Sequence, residues 1–254
     1  MLWRTITHRL PRTDILTGLL RSVTIPRSLA VCSAGWQGIS DESGMPDPVR
    51  RSERPPSTDH RLISMRVSID DFVTRLQAFS ASAFDHTEEI RAFLQEAPVD
   101  QESLMPYLNW NRQHYTRNLI DKTALYELVA ICWEVGQASS VHNHRDQNCW
   151  MAAPVGKLVV ENFRVGFQDI EAGQCRLEVS NRVELTAESP CAVDPQEPVH
   201  RVVNPREANQ RAVSLHVYSR PFDTCVVYSP EQGTCGEIQL HYNTVFGKAV
   251  ANSQ

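Results

Sequence analysis

From Ser68 onward the apolar positions recur first with the period of a helix and then with that of a strand. "SIDDFVTRLQAF" (68–79) puts Phe72, Val73, Leu76 and Phe79 on one helical face. Ser68, followed three residues later by the acid Asp71, is an N-terminal cap signal. "HTEEIRAFLQEAP" (86–98) repeats the plan, with Ile90, Phe93 and Leu94 on one face, Thr87 as the expected cap and Pro98 as the stop. The pattern predicts two or three short helices before Trp110.

Beyond Trp110 the period drops to two. "ALYELVAICWEV" (124–135), "KLVVENFRV" (157–165), "QCRLEVSNRVEL" (174–185), "CAVD" (191–194), "VHRVV" (199–203), "AVSLHVYS" (212–219) and "TCVVYS" (224–229) are short and rich in β-branched and aromatic residues. Gly, Pro, Asn or Asp separate them. This predicts a mainly β fold, an antiparallel β-barrel or jelly roll preceded by the short helices, rather than alternating βαβ units. Such a barrel has room for one small ligand. A single domain is expected over 61–254.

The first sixty residues differ in kind. Up to Ser40 there are five arginines (Arg4, Arg9, Arg12, Arg21, Arg27), no lysine and one acid, Asp14. Arg-rich, hydroxyl-rich and acid-poor is the composition of an organelle transit peptide. A translation start placed upstream of a true one at Met45 or Met65 explains it equally well. "MPDPVRRSERPPSTDH" (45–60) is a Pro-rich, charged linker without the apolar content to build core. Residues 1–60 are therefore set apart as an extension. A cytoplasmic domain is expected, with organelle import directed by 1–40 as the alternative.

The net charge of −5 gives no electrostatic case for nucleic acid or an anionic membrane surface as partner. No uninterrupted apolar run approaches the roughly 18 residues that span a bilayer. Seven cysteines, an odd number without a CxxC pair, argue against a disulfide framework and for reduced thiols. Nothing in the pattern asks for a second copy, and a monomer is expected.

Candidate chemistry centres on "VHNHRDQNC" (141–149). In a strand, His142 and His144 would project to one face. Taken alone, such a pair is more often packed or exposed than ligating. A third histidine, His200, sits at the start of a Pro-Val strand signal. "SLHVYS" places Ser214, His216 and Tyr218 on one face and Val213, Leu215 and Val217 on the other. If the apolar face packs outward, the three polar groups point inward and must partner one another.

At this point the chain resembles a known family. "YTRNLID" (115–121), "GQASSVHNHRDQNCW" (136–150) with Gly156, "VHRVVNP" (199–205), "AVSLHVYSRPFDTC" (212–225) and "HYNTVFGK" (241–248) are similar, in family order, to the cysteine dioxygenases, thiol dioxygenases of the cupin superfamily. The resemblance runs from about Ser68 to Lys248. It implies ferrous iron held by His142, His144 and His200, and a substrate carboxylate bound by Arg117 with Tyr115 beside it. It implies a Cys149–Tyr218 thioether, with Ser214 and His216 orienting the Tyr218 phenol. Cys225 would lie near the site mouth and Trp133 behind it. The acidic ligand common among cupins after the HxH is missing, since Asp146 has the wrong spacing. The implied partners are L-cysteine and O2, the product is cysteine sulfinate, and the setting is sulfur amino-acid catabolism.

The physics of such a centre is consistent with this. Three neutral imidazoles leave a divalent charge uncompensated, which favours anionic exogenous ligands such as a thiolate. Imidazole suits several metals, so the ligands alone do not select iron; O2 chemistry does. Bland alternatives stay open at single residues. Cys149 reads equally as a small buried hydrophobe, and strand parity turns it away from His144 unless the turn-like "RDQN" resets the face. Arg117 reads also as a surface charge, although its planar fork suits a carboxylate. The rival functions are a dioxygenase for 3-mercaptopropionate or another short thiol carboxylate, and a non-catalytic metal-binding cupin sensor. Within the family resemblance, arginine at position 117 goes with cysteine and glutamine there with mercaptopropionate.

Overall fold

A computed structural model describes residues 65–250, so the extension expected over 1–60 lies outside the described residues. Three helices come first: α1 (Ile69–Gln77), α2 (Thr87–Glu96) and α3 (Gln101–Leu104). Ser68 caps α1 as predicted, its hydroxyl accepting the Asp71 N–H at 3.1 Å. The cap of α2 is His86 and not Thr87, which is already helical, and no side-chain bond closes that end. Glu88 and Glu89 in the first turn instead oppose the positive end of the helix dipole. The helix stops at Ala97, before Pro98, with the Ala97 N–H on Phe93 O at 2.9 Å.

Thirteen strands follow among the described residues: β1 (Thr116–Lys122), β2 (Tyr126–Trp133), β3 (Val141–His142), β4 (Cys149–Val155), β5 (Leu158–Asp169), β6 (Gln174–Leu185), β7 (Cys191–Ala192), β8 (Val199–Val203), β9 (Ala212–Ser219), β10 (Thr224–Ser229), β11 (Thr234–Gln239), β12 (Thr244–Val245) and β13 (Lys248–Ala249). One sheet runs β13-β12-β1-β2-β9-β4-β7. The other runs β10-β11-β6-β5-β8-β3 and closes where β3 returns to β10. Neighbours are antiparallel except β1 and β12. This is the predicted jelly roll. Among the described residues no helix is long and apolar enough to cross a membrane.

The helices explain which way the strands face. Every residue of β2 and β9 is buried, so each strand has two covered faces. Tyr126, Leu128, Ala130 and Cys132 of β2, with Val213, Leu215 and Val217 of β9, pack against Phe72, Leu76, Ile90 and Leu94 of the helices. Burying each such side chain stabilises the fold by roughly 1.5–3 kcal/mol. That layer takes up the apolar alternate positions of β9 and leaves Ser214, His216 and Tyr218 to the interior. There they lie near Val129, Ile131, Trp133, Met151 and Val160 of the inner core.

Candidate active site

β3 and β8 bring two of the three histidines together. His142 is the register partner of His200 across the antiparallel β3–β8 pair. His144 does not share the strand, which ends at His142. Asn143 keeps the chain tied to β10: its N–H donates to Val226 O at 3.1 Å, and its side-chain oxygen accepts the Val226 N–H at 3.0 Å. His144 then opens a turn in which Arg145 (φ 54°) and Asp146 (φ 62°) are both left-handed and the Gln147 N–H returns to His144 O at 3.0 Å. Two consecutive positive φ values are the geometry of a type I′ turn. The turn exposes Asp146 and resets the strand face. The imidazole centroids of His142, His144 and His200 are 4.8–5.1 Å apart, and one nitrogen from each lies within 4.8 Å of the others.

This triad fits a divalent metal. The His142 Nδ1–H donates to Ser140 O at 2.9 Å, which leaves Nε2 as that ring's free lone pair. The Nε2 atoms of His144 and His200 face each other at 3.2 Å, where two lone pairs repel unless a proton or a cation lies between them. Burial disfavours the charged imidazolium, so a neutral ring's own Nε2–H or a metal cation fills that gap. The same burial pulls His142 down to about 4 and, helped by the neighbouring histidines, holds His144 and His200 well below the ordinary 6.5. Neutral imidazole is the ligating form. Among the described residues no carboxylate joins the cluster, and Asp146 is exposed in the turn.

On β9 the predicted relay is present. The Trp133 Nε1–H donates to Ser214 Oγ at 2.9 Å, Ser214 Oγ is 2.8 Å from His216 Nε2, and His216 Nδ1 is 3.1 Å from the Tyr218 hydroxyl. Trp133 can only donate, so Ser214 Oγ accepts from it and keeps a second lone pair and its own proton for His216 Nε2. Burial holds that imidazole neutral, at about 3, so it carries a single proton, offered to Ser214 from Nε2 or to Tyr218 from Nδ1 according to the tautomer. Burial, with Cys149 adding to it, keeps the Tyr218 phenol protonated, well above 10.

Tyr218 stands between the triad and Arg117. Its ring centroid is 5.5 Å from that of His144, and the guanidinium carbon of Arg117 is 5.8 Å from it. Phe222 walls the same space, 5.2 Å from the Tyr218 ring and 6.1 Å from His144. Across the β4–β9 pair, Cys149 is the register partner of Tyr218. Arg117 is not a surface charge. Its side chain is 12% exposed, and its Nε and Nη2 are buried without a hydrogen-bond partner. Burial works against its charge, and Tyr218 and Glu127 outweigh that. Tyr115 stacks on Trp133 at 4.8 Å, its phenol raised by burial and opposed by the nearby Arg117 charge. Cys225 is buried on β10; burial raises its thiol and Arg117 opposes the effect.

Two residues escaped the sequence reading. Glu127 is fully buried, with Oε1 3.9 Å from Arg117 Nη2 and Oε2 3.4 Å from Lys122 Nζ. Tyr242 donates its hydroxyl to the same Oε2, and its ring lies 5.8 Å from the Arg117 guanidinium carbon. The available signal was Glu127 itself, the one charge between Ala124 and Trp133.

Comparison with known proteins follows the same lines. The family described as "Cysteine dioxygenase type I" matches residues 60–231. Cysteine dioxygenase type 1 of Homo sapiens is 28% identical over 188 residues, covering 73% of this chain and 91% of the human protein. The Rattus norvegicus protein of the same name is 28% identical over 182 residues, covering 71% of this chain and 88% of the rat protein. Among solved structures, an uncharacterized conserved protein with a double-stranded β-helix domain from Klebsiella pneumoniae aligns at 15% identity with a TM-score of 0.36, covering 46% of this chain and 87% of that one.

Proposed function

Because this chain belongs to the cysteine dioxygenase type I family, we propose that its histidine triad holds ferrous iron and that L-cysteine and O2 are converted there to cysteine sulfinate. Bound by His142, His144 and His200, ferrous iron supplies the redox chemistry with O2 that no side chain of the site possesses. The observation that carries the reading is the pairing of this neutral triad with a buried arginine whose donors are unpartnered.

The remaining work falls to the chain's own groups. Arg117 receives the substrate carboxylate on Nε and Nη2, a planar fork that fixes both position and orientation. Tyr115 lines the same end. With the His216 proton on Nδ1, Tyr218 accepts from it and keeps its own proton facing the interior. Phe222 and the inner core exclude bulk water, which strengthens each charge contact inside. Cys149, opposite Tyr218, would form the thioether that locks the phenol ring in this place, its S–H and one ring C–H being lost as O2 takes up the two electrons and two protons. Oxygen uptake with L-cysteine, measured with and without added ferrous iron, tests the reading.

A further inference from the structure

Glu127 has no assigned part in this site, yet it is its most deeply buried charge. It faces the interior from β2 as the register partner of both Lys122 on β1 and Tyr218 on β9. Its Oε2 is occupied by the Tyr242 hydroxyl and by Lys122. Its Oε1 is buried and accepts no hydrogen bond. Arg117 Nη2 is 3.9 Å from that oxygen, close enough to attract and too far to bond, and Nη2 and Nε are likewise buried and unpartnered. A settled buried ion pair would close this gap, because orphaned atoms on both sides are costly. The pair is held open.

We infer that Glu127 is the resident counter-ion of Arg117, a positioning residue that compensates the guanidinium while the pocket is empty and yields it to the substrate carboxylate. This rests on the function proposed above. A buried guanidinium with no anion nearby is strongly disfavoured. Glu127 supplies that anion without blocking the two donors the substrate needs. The same device helps the pocket empty. Product and substrate carry the same carboxylate, and a waiting counter-ion makes its departure less costly. Tyr242 and Lys122 hold the other carboxylate oxygen, which keeps Glu127 from closing fully on Arg117. The arrangement tunes affinity downward in favour of turnover.

The sign of the effect distinguishes this role from simple support. In Glu127→Gln the empty protein should melt several degrees lower, because Arg117 is left uncompensated. Under anaerobic conditions, with iron present, L-cysteine should bind that variant about tenfold more tightly than wild type, the size of coupling expected within one charged network. Cysteamine, which lacks the carboxylate, should bind both proteins alike. Tyr242→Phe provides the opposite sign and covers the case in which Glu127→Gln does not fold. Freed from the phenol, Glu127 should draw closer to Arg117 and weaken L-cysteine binding about threefold, leaving cysteamine unchanged. Unchanged or weaker L-cysteine binding in a folded Glu127→Gln, or tighter binding in Tyr242→Phe, would overturn the counter-ion role alone. A wild-type protein that binds no L-cysteine would overturn the proposed function and this inference with it.

Discussion

Cys149 and Tyr218 are direct partners across an antiparallel strand pair, β4 to β9, with both side chains on the interior face. Residues so placed have Cβ atoms roughly 4.5–5.5 Å apart. A thiol and a phenol ring at that separation need no backbone movement to meet. Turnover should therefore yield a species lighter by two hydrogens that also runs as a faster gel band. Cys149→Ser should lose both and keep a reduced activity, since the bond positions Tyr218 and performs no chemistry. An inactive Cys149→Ser would make Cys149 an essential group.

With iron proposed on the triad, each of His142→Ala, His144→Ala and His200→Ala should lose most of its iron. The loss should exceed the ~10–100-fold in affinity that removal of a supporting outer residue costs. Elemental analysis of the purified variants checks this. Full iron content in two of the three would contradict the ligand set.

Away from the site, Glu161 predicts an acid-dependent loss of stability. It lies between two cross-strand arginines, 2.7 Å from Arg182 Nε and also hydrogen-bonded to Arg201. Burial would raise its carboxyl, but the hydrogen bonds and charges of Arg201 and Arg182 outweigh it and hold the group below 4.5. A carboxyl depressed by folding stabilises the protein above its unfolded value, and the contribution disappears as pH falls through the folded one. Arg182 is 64% exposed, so solvent screening limits the effect. Glu161→Gln should cost about 1 kcal/mol at neutral pH and less at an acid pH below 4.5. Urea melts at the two values measure it, and an equal difference at both would refute the linkage.

These contacts differ in how far they could be read from the chain. The β9 relay was legible because a strand period of two separates Ser214, His216 and Tyr218 from three aliphatic neighbours. β4 was not, because "CWMAAPV" is covered on both sides and shows no alternation. His142 and His144 were legible as a pair for a reason the fold changes: a left-handed turn at Arg145 and Asp146, and not a shared strand face, places His144. Glu127 stayed hidden because its meaning depends on Tyr242, 115 residues away, and on Arg117 of the neighbouring strand β1. Local pattern carries no information about such pairings.

On the proposed function, Arg117 decides which thiol is preferred. A hydrogen bond to a charged group contributes roughly 1.5–3 kcal/mol. Losing a bidentate one should lower kcat/KM for L-cysteine on the order of a hundredfold. Arg117→Gln should therefore harm L-cysteine turnover heavily and 3-mercaptopropionate much less, narrowing or reversing the preference. Equal losses for both thiols would show that Arg117 does not select the substrate.

The central claim is that both atoms of O2 reach the sulfur of L-cysteine in this site. Turnover of L-cysteine by the iron-loaded protein under 18O2, followed by mass spectrometry of the product, tests it most directly. The expected product is cysteine sulfinate carrying two labelled oxygens from a single O2, formed with one O2 consumed per thiol. Sulfinate carrying one label or none, or an iron-loaded protein that consumes no O2 with L-cysteine, would contradict the account.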